Sequence, residues 1–81
     1  MFRKLIESSD LEVEGRRYQT HYFEQKTARG TRRFSCEVLL DAGDRIILDD
    51  DTMTSLEAKV TRLAPATIYS RVLAARRSEA A

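Results

Sequence analysis

The sequence has few of the residues that reinforce small domains through covalent bonds or metals. Its 81 residues include one cysteine, one histidine, one proline and no tryptophan. The single Cys36 excludes an intramolecular disulfide, and a metal site needs several Cys, His or carboxylate ligands that converge. We therefore predict no metal and no cofactor. A second copy of the chain is the remaining way to reinforce a domain of this size.

Long apolar runs are also absent. No run approaches the roughly 20 apolar residues that span a bilayer. The segment from Met1 to Glu7 reaches only two consecutive apolar residues before the glutamate, which is too few for the core of a signal peptide. With no export signal and no disulfide, the expected location is the cytoplasm, and no membrane partner is predicted.

The composition is that of a folded chain. Hydrophobic residues make up 42% of the sequence and charged residues 33%, which supplies enough apolar material for one core. The length corresponds to one small domain over residues 1–81. We expect residues 78–81 to form a frayed tail.

Alternating apolar residues predict three strands. Tyr18, Thr20 and Tyr22 share one face of a strand over residues 16–26. A second strand over residues 32–40 and a third over residues 45–48 follow turns at residues 27–30 and 41–44. The first fifteen residues allow two interpretations, because Phe2, Leu5 and Ile6 have helical spacing whereas Leu11 and Val13 alternate.

The last third of the sequence predicts helix. Asp51 or Thr52 is suited to the N-cap, because a short side chain can accept hydrogen bonds from unpaired backbone N–H groups. Pro65 should end or kink the helix near Ala64, and a second run covers residues 66–77. The apolar stripe of the first run consists of Met53, Leu56, Val60 and Leu63.

These elements assemble into an α+β fold. We predict a three-stranded antiparallel meander covered on one face by the C-terminal helix, kinked or split at Pro65, with a short N-terminal helix or strand. The shared interior should pair the helical stripe with one face of the second strand, namely Phe34, Cys36, Val38 and Leu40.

Charge is unevenly distributed along the chain. Residues 16–33 carry a net charge of +5 and residues 34–58 carry −6, although the whole chain is only +1. A basic hairpin could contact phosphates, while the alternative is a solvated surface whose charges pair across the fold. The residues suited to an anion or nucleic acid are Lys26, Arg29, Arg32 and Arg33.

Apolar residues outside the predicted core indicate a partner surface. Phe23, Leu39 and Ile47 alternate away from the core side of the three strands, and Tyr69 and Leu73 widen the apolar face of the last helix. Monomers rarely leave such surfaces open. The alternative is that the N-terminal segment covers the strand residues.

Residue types suited to catalysis do not form a recognisable set. His21 has no nucleophile or acid at a diagnostic spacing, and Cys36 is expected to face the core. The run from Asp49 to Asp51 lacks the alternating ligands and glycine of a calcium loop, so helix capping explains it better.

The sequence therefore favours a non-enzymatic protein-interaction or regulatory module that can self-associate. The alternative function is a nucleic-acid-binding accessory protein that uses the basic first hairpin.

Overall fold

The chain forms four strands followed by one long helix. A computed structural model describes residues 2–40 and 43–80, apart from the side chains of residues 2 and 78–80. The elements are β1 (Phe2–Val13), β2 (Arg16–Lys26), β3 (Arg32–Leu39), β4 (Arg45–Asp50) and α1 (Met53–Ala80). The strands form one antiparallel sheet in chain order. The α+β class and the antiparallel meander are confirmed, with one strand more than predicted.

The additional strand is β1. Of the two alternatives for the N-terminal segment the strand is confirmed, although at 12 residues it is longer than the short strand predicted. Its pairing with β2 is antiparallel along nearly the whole length, and the polar residues Ser8, Ser9 and Asp10 are part of that ladder. The register shifts between Leu5 and Glu7. One extra residue in a bulge displaces the alternation of side chains, which accounts for apolar spacing that resembled a helix.

A two-residue turn joins β1 to β2. Glu14 has a φ angle of 54° and Gly15 one of 75°, so both central residues are in the left-handed region. Two such residues between antiparallel strands are typical of a type I′ hairpin, whose twist matches that of the strands. The predicted turn at residues 27–30 is confirmed by the hydrogen bond from Gly30 N–H to the Thr27 carbonyl, 2.9 Å. Asp41 and Ala42, from the other predicted turn, lie outside the described residues.

The helix begins as expected and then continues past Pro65. Thr52 is the N-cap, because its Oγ1 accepts a hydrogen bond from Ser55 N–H at 3.1 Å. Of the two alternatives, a helix kinked at Pro65 or one split there, the split is wrong, since α1 runs unbroken to Ala80. Proline lacks the N–H that would bond the carbonyl four residues earlier, but Ala64 and Ile68 on either side of it are both buried against the sheet. That packing favours a continuous helix.

The core lies between the helix and one face of the sheet. Cys36 and Val38 of β3 are fully buried beneath α1, and Phe34 and Leu40 pack at the margin, as predicted. On the helix the prediction for Leu63 is wrong, because this side chain is 38% exposed. The buried stripe follows the i+4 row, as expected of a helix that packs obliquely, and consists of Leu56, Val60, Ala64 and Ile68.

The helix is longer than the sheet that it covers. It follows β4 in the chain, packs on β4 and β3, and reaches β1 further along. Side chains from Ala74 to Arg77 are exposed, so this end of the helix extends beyond the sheet. The radius of gyration is 14.3 Å, whereas a compact chain of this length has about 12 Å. The frayed tail over residues 78–81 stays a prediction. The helix extends to Ala80, and Ala81 lies outside the described residues.

Candidate binding surfaces

The predicted basic hairpin is partly neutralised by its own neighbours. Arg32 Nε lies 2.8 Å from Glu24 Oε1. Arg33 contacts two carboxylates of the acidic run, Asp51 at 2.5 Å and Asp49 at 3.2 Å. Among the residues that the structure describes, Lys26 and Arg29 are the two members of the predicted anion site that make no ion pair. The four cations are close together at one end of the sheet, but only half of them are available to an anion.

The acidic run from Asp49 to Asp51 pairs with cations rather than capping the helix. Asp50 Oδ2 lies 3.3 Å from Lys59 Nζ, and Asp50 Oδ1 accepts a hydrogen bond from Asp51 N–H at 2.7 Å. The backbone N–H of Asp51 and then the Lys59 ammonium lower the pKa of Asp50. No group of three or more potential metal ligands occurs among the described residues. The helix-capping interpretation is wrong for these aspartates, since Thr52 performs that role.

The sheet face opposite the helix carries the three predicted apolar strand residues. Phe23, Leu39 and Ile47 belong to this open sheet face, but they are unequally accessible. Ile47 is 57% exposed, whereas Phe23 and Leu39 are half-buried. The Arg3 guanidinium lies over the Phe23 ring, 3.7 Å from its centroid. The N-terminal segment does not cover this face; as β1, it extends it at one edge.

A buried carboxylate divides the open sheet face. Glu37 is only 8% exposed although no helix covers it. Its Oε1 lies 2.7 Å from Arg3 and 3.6 Å from Arg45, so two guanidinium groups enclose it. In the strand register, Glu37 lies between His21 of β2 and Ile47 of β4. Polar and charged groups thus interrupt what the sequence indicated as an apolar strip.

A serine–histidine pair occupies the same face. Ser8 Oγ and His21 Nδ1 are 2.9 Å apart across β1 and β2. Sequence analysis missed this pair because it did not predict β1 along its full length. The pair lies in the open, and the described residues provide no third group that hydrogen-bonds His21. A catalytic arrangement also needs an orienting group and donors for a developing oxyanion, so this contact alone is a structural hydrogen bond.

The one cysteine lies in the core, away from solvent. Cys36 is fully buried, and burial raises the pKa of its thiol to about 11. Tyr22 lies beside it, and burial followed by the neighbouring Cys36 raises the pKa of the phenol to about 12. Both groups therefore stay protonated at neutral pH.

The helix presents a second, more exposed apolar row beside the buried one. Tyr69 is 50% exposed, Leu63 38%, Ala66 is exposed and Leu73 is half-buried. These four residues are called the outer helix face below. Sequence analysis identified Tyr69 and Leu73 but placed Leu63 in the core. The signal for Leu63 was available, because the i+4 row from Leu56 through Val60 and Ala64 to Ile68 does not include it.

A groove lies beneath the far end of the helix, where α1 leaves the sheet. Its volume is about 450 Å³, and its apolar floor includes Tyr18, Leu40, Ile68 and Val72. Three guanidinium groups surround the floor: Arg16, Arg71 and Arg76.

The groove contains one internal ion pair. Asp44 accepts a hydrogen bond from Arg71, and this contact lowers the pKa of the Asp44 carboxyl. It links the far half of the helix to the segment between β3 and β4. Sequence analysis did not identify this groove, because its residues come from four separated parts of the chain.

Comparison with known proteins supplies no further assignment. No family model matches the sequence, and neither a curated protein nor a solved structure is similar to it. No helix among the described residues has the combination of length and apolarity that crossing a membrane requires.

Proposed function

We propose that the chain is a non-enzymatic interaction module that works as a homodimer assembled through the outer helix face. The observation that carries this proposal is the exposure of Tyr69 and Leu63, at 50% and 38%, on a helix whose opposite side is already packed. Contiguous apolar surfaces on small proteins commonly mark interaction sites. A partner that covers this row would bury the apolar side chains that the sheet leaves exposed.

The surface area supports a second copy as the partner. A compact monomer of 9.3 kDa has an accessible surface of about 5,000 Å². This chain exposes 5897 Å², an excess of about 900 Å² over that expectation. A standard interface buries about 800 Å² on each partner. The excess accessible surface is therefore about as large as the area that each copy buries in an ordinary dimer.

The outer helix face is compatible with two-fold symmetry. In an antiparallel pair of helices centred near Ala66, Leu63 of one copy would approach Tyr69 of the other, and the small Ala66 would let the helix axes come close. Arg62 and Arg77 flank the row on the helix, where no acidic residue does so among the described positions, and Glu14 from the turn between β1 and β2 shares a cleft with Tyr69. Like charges on both flanks oppose the pairing, so self-association should strengthen as salt screens them.

The non-enzymatic part of the proposal is supported by the environment of the reactive side chains. The Cys36 thiol is buried and its pKa is raised, which disfavours the nucleophilic thiolate. Ser8 and His21 contact each other on an open surface, without a further hydrogen-bonding group on His21 among the described residues.

Sedimentation velocity on the full chain tests the assembly. We expect a dimer at micromolar concentration, and a monomer for the double variant Tyr69→Ser/Leu73→Ser. The comparison variant is Ile47→Ser, which removes a similarly exposed apolar side chain from the open sheet face and should leave the dimer intact. A monomeric wild-type chain contradicts the proposal. If Ile47→Ser alone dissociated the dimer, the interface would lie on the open sheet face and not on the helix.

Nucleic-acid binding is the alternative proposal, and it has less support. Two of its four cations, Arg32 and Arg33, are paired with carboxylates. Salt separates the two proposals, because binding to phosphates weakens as salt rises whereas the proposed dimer strengthens. A gel-shift assay at about 50 mM salt tests it, with Lys26→Gln/Arg29→Gln as the variant.

A further inference from the structure

We propose that the groove beneath the far half of α1 binds a small amphiphilic anion, a molecule with one carboxylate or phosphate group and an apolar body. This proposal is tested separately from dimerisation, because none of the four residues of the outer helix face lines the groove. Of those four residues, Tyr69 borders the adjoining smaller cleft, whereas Leu73 lines neither space.

The size and the floor of the groove suit the apolar part of such a ligand. Its volume of about 450 Å³ falls within the roughly 300–1,000 Å³ typical of small-molecule sites. Tyr18 and Ile68 are buried in the core, so the surface that they present is held in place by the packing behind them. An apolar body lying on this floor would remove further apolar surface from water.

The rim suits the anionic part. Arg76 is exposed and makes no ion pair with a described residue, and Arg71 already holds a carboxylate, that of Asp44. Because Asp44 already pairs with Arg71, Arg76 is the group of this rim best placed to meet the anionic part of a ligand. Arg16 lies on the same rim with its guanidinium 5.5 Å from the centroid of the Tyr18 ring. Asp44 is the one acidic residue among the described lining positions, so the rim favours anions over cations.

A smaller cleft on the other side of the same helix segment widens the accessible floor. Its apolar lining is Val13, Tyr18, Ile68, Tyr69 and Val72. Glu14 adds a carboxylate to this cleft, and Arg76 borders both spaces. Because Arg76 lies between the two, its guanidinium can reach an anion in either position. It is therefore the residue whose removal most directly tests the proposal.

The experiment is a calorimetric titration of the full chain with four probes, chosen to separate the charged group of the ligand from its apolar body. Octanoate and octyl phosphate carry both parts of the proposed ligand, octanol lacks the charge, and inorganic phosphate lacks the apolar body. We expect octanoate, octyl phosphate or both to bind at least about tenfold more tightly than octanol and inorganic phosphate, since hydrogen bonds to charged groups contribute this much or more. The difference between octanoate and octyl phosphate identifies the preferred head group.

Variants then locate the site. Arg76→Gln should weaken binding of the preferred probe by about tenfold or more. Arg77→Gln removes the same charge one residue along the same exposed helix segment, outside the groove, and should change binding less than about twofold. Far-ultraviolet circular dichroism confirms that both variants are folded. Leu73→Ser should retain the affinity even if it is monomeric, which separates this proposal from dimerisation.

Three results would overturn the proposal. If octanol bound as tightly as octanoate, the groove would be an apolar cleft with no preference for anions. Equal weakening by Arg76→Gln and Arg77→Gln would indicate general attraction to a basic helix end. Failure of both octanoate and octyl phosphate to bind at millimolar concentration would exclude the site altogether.

Discussion

The two halves of α1 differ in how they are held, although they form one continuous helix. The proximal half, residues 53–64, buries Leu56, Val60 and Ala64 against β3 and β4. The distal half, residues 65–80, buries Ile68, half-buries Val72, and then leaves the sheet. Its one described ion pair to the sheet side joins Arg71 to Asp44.

This difference indicates a division between stability and binding within one element. Packing supplies most of the stability of a small domain, so the proximal half should determine whether the chain folds. Segments with few buried contacts open at lower free energy than the core, so the distal half has the freedom to adjust to a ligand or partner. Both proposed binding surfaces include residues of the distal half.

The largest contrast should come from truncating one buried side chain in each half. Leu56→Ala removes a fully buried leucine and should lower the free energy of unfolding by about 2–5 kcal/mol. Val72→Ala removes a half-buried valine and should cost about 1 kcal/mol or less. Urea denaturation of both variants measures the difference. Equal losses would contradict the division between the halves.

High pH should test the interior under the proximal half. Burial raises the pKa of Cys36 to about 11 and that of Tyr22 to about 12, from 9.0 and 10.0. Both groups are neutral when protonated, so their contribution is complete below pH 9 and is lost as pH rises through the folded-state values. The two groups interact, so the combined loss should be on the order of 2 kcal/mol rather than the sum of both shifts.

Chemical denaturation between pH 8 and pH 12 measures this loss. The double variant Tyr22→Phe/Cys36→Ala should show a shallower dependence on pH than the wild type, whatever its absolute stability. An unchanged slope would mean that other groups control unfolding at high pH.

Replacing Pro65, which lies between the two halves of α1, should reduce the difference in stability between them. Pro65→Ala restores the N–H that can bond the Thr61 carbonyl, and alanine is the better helix former. We expect the free energy of unfolding to rise by about 1–3 kcal/mol. Hydrogen exchange should show the gain as stronger protection of amides near residue 65, and a loss of stability would instead mean that the ring of Pro65 makes packing contacts that alanine lacks.

The smallest expected effect is loosening of the distal half at low pH. Arg71 lowers the pKa of Asp44, so the ion pair is complete above the ordinary aspartate value of 3.8 and is lost as pH falls through the lower folded-state value. Hydrogen exchange of amides in the distal half should therefore accelerate in acid.

Asp44→Asn is the variant that tests this assignment. It should remove the acid-dependent part of the exchange and leave distal amides less protected at neutral pH. Asp50→Asn changes a carboxylate of similarly lowered pKa next to the proximal half and is the matched control. If Asp50→Asn loosens the distal amides as much as Asp44→Asn does, the Arg71 contact is not what holds them.

Local patterns in the sequence predict most of the sheet and the start of the helix. Strict alternation around Tyr18 and Cys36 identified two strands and their buried faces, and short polar side chains limited the N-cap to Asp51 or Thr52. These signals work because neighbouring residues determine them. They fail at β1, where the bulge between Leu5 and Glu7 disturbs the alternation.

The binding surfaces are less predictable because they depend on how distant elements pack. Leu63 belongs to an apolar helical pattern, but the oblique crossing of the helix buries Ala64 instead. The groove requires the turn beside Arg16, the segment around Asp44 and the helix near Arg76 to meet at one end of the sheet. The spacing of residues along the chain does not predict that these three segments lie together in the fold.

The order of elements has a consequence for biosynthesis. All four strands precede the helix, and each pairs with its neighbour in the chain, so the sheet can assemble from local contacts while the chain is still being made. Its apolar side then has no cover until α1 has left the ribosome. During that interval the uncovered sheet is most exposed to aggregation, and truncation within α1 would make the exposure permanent.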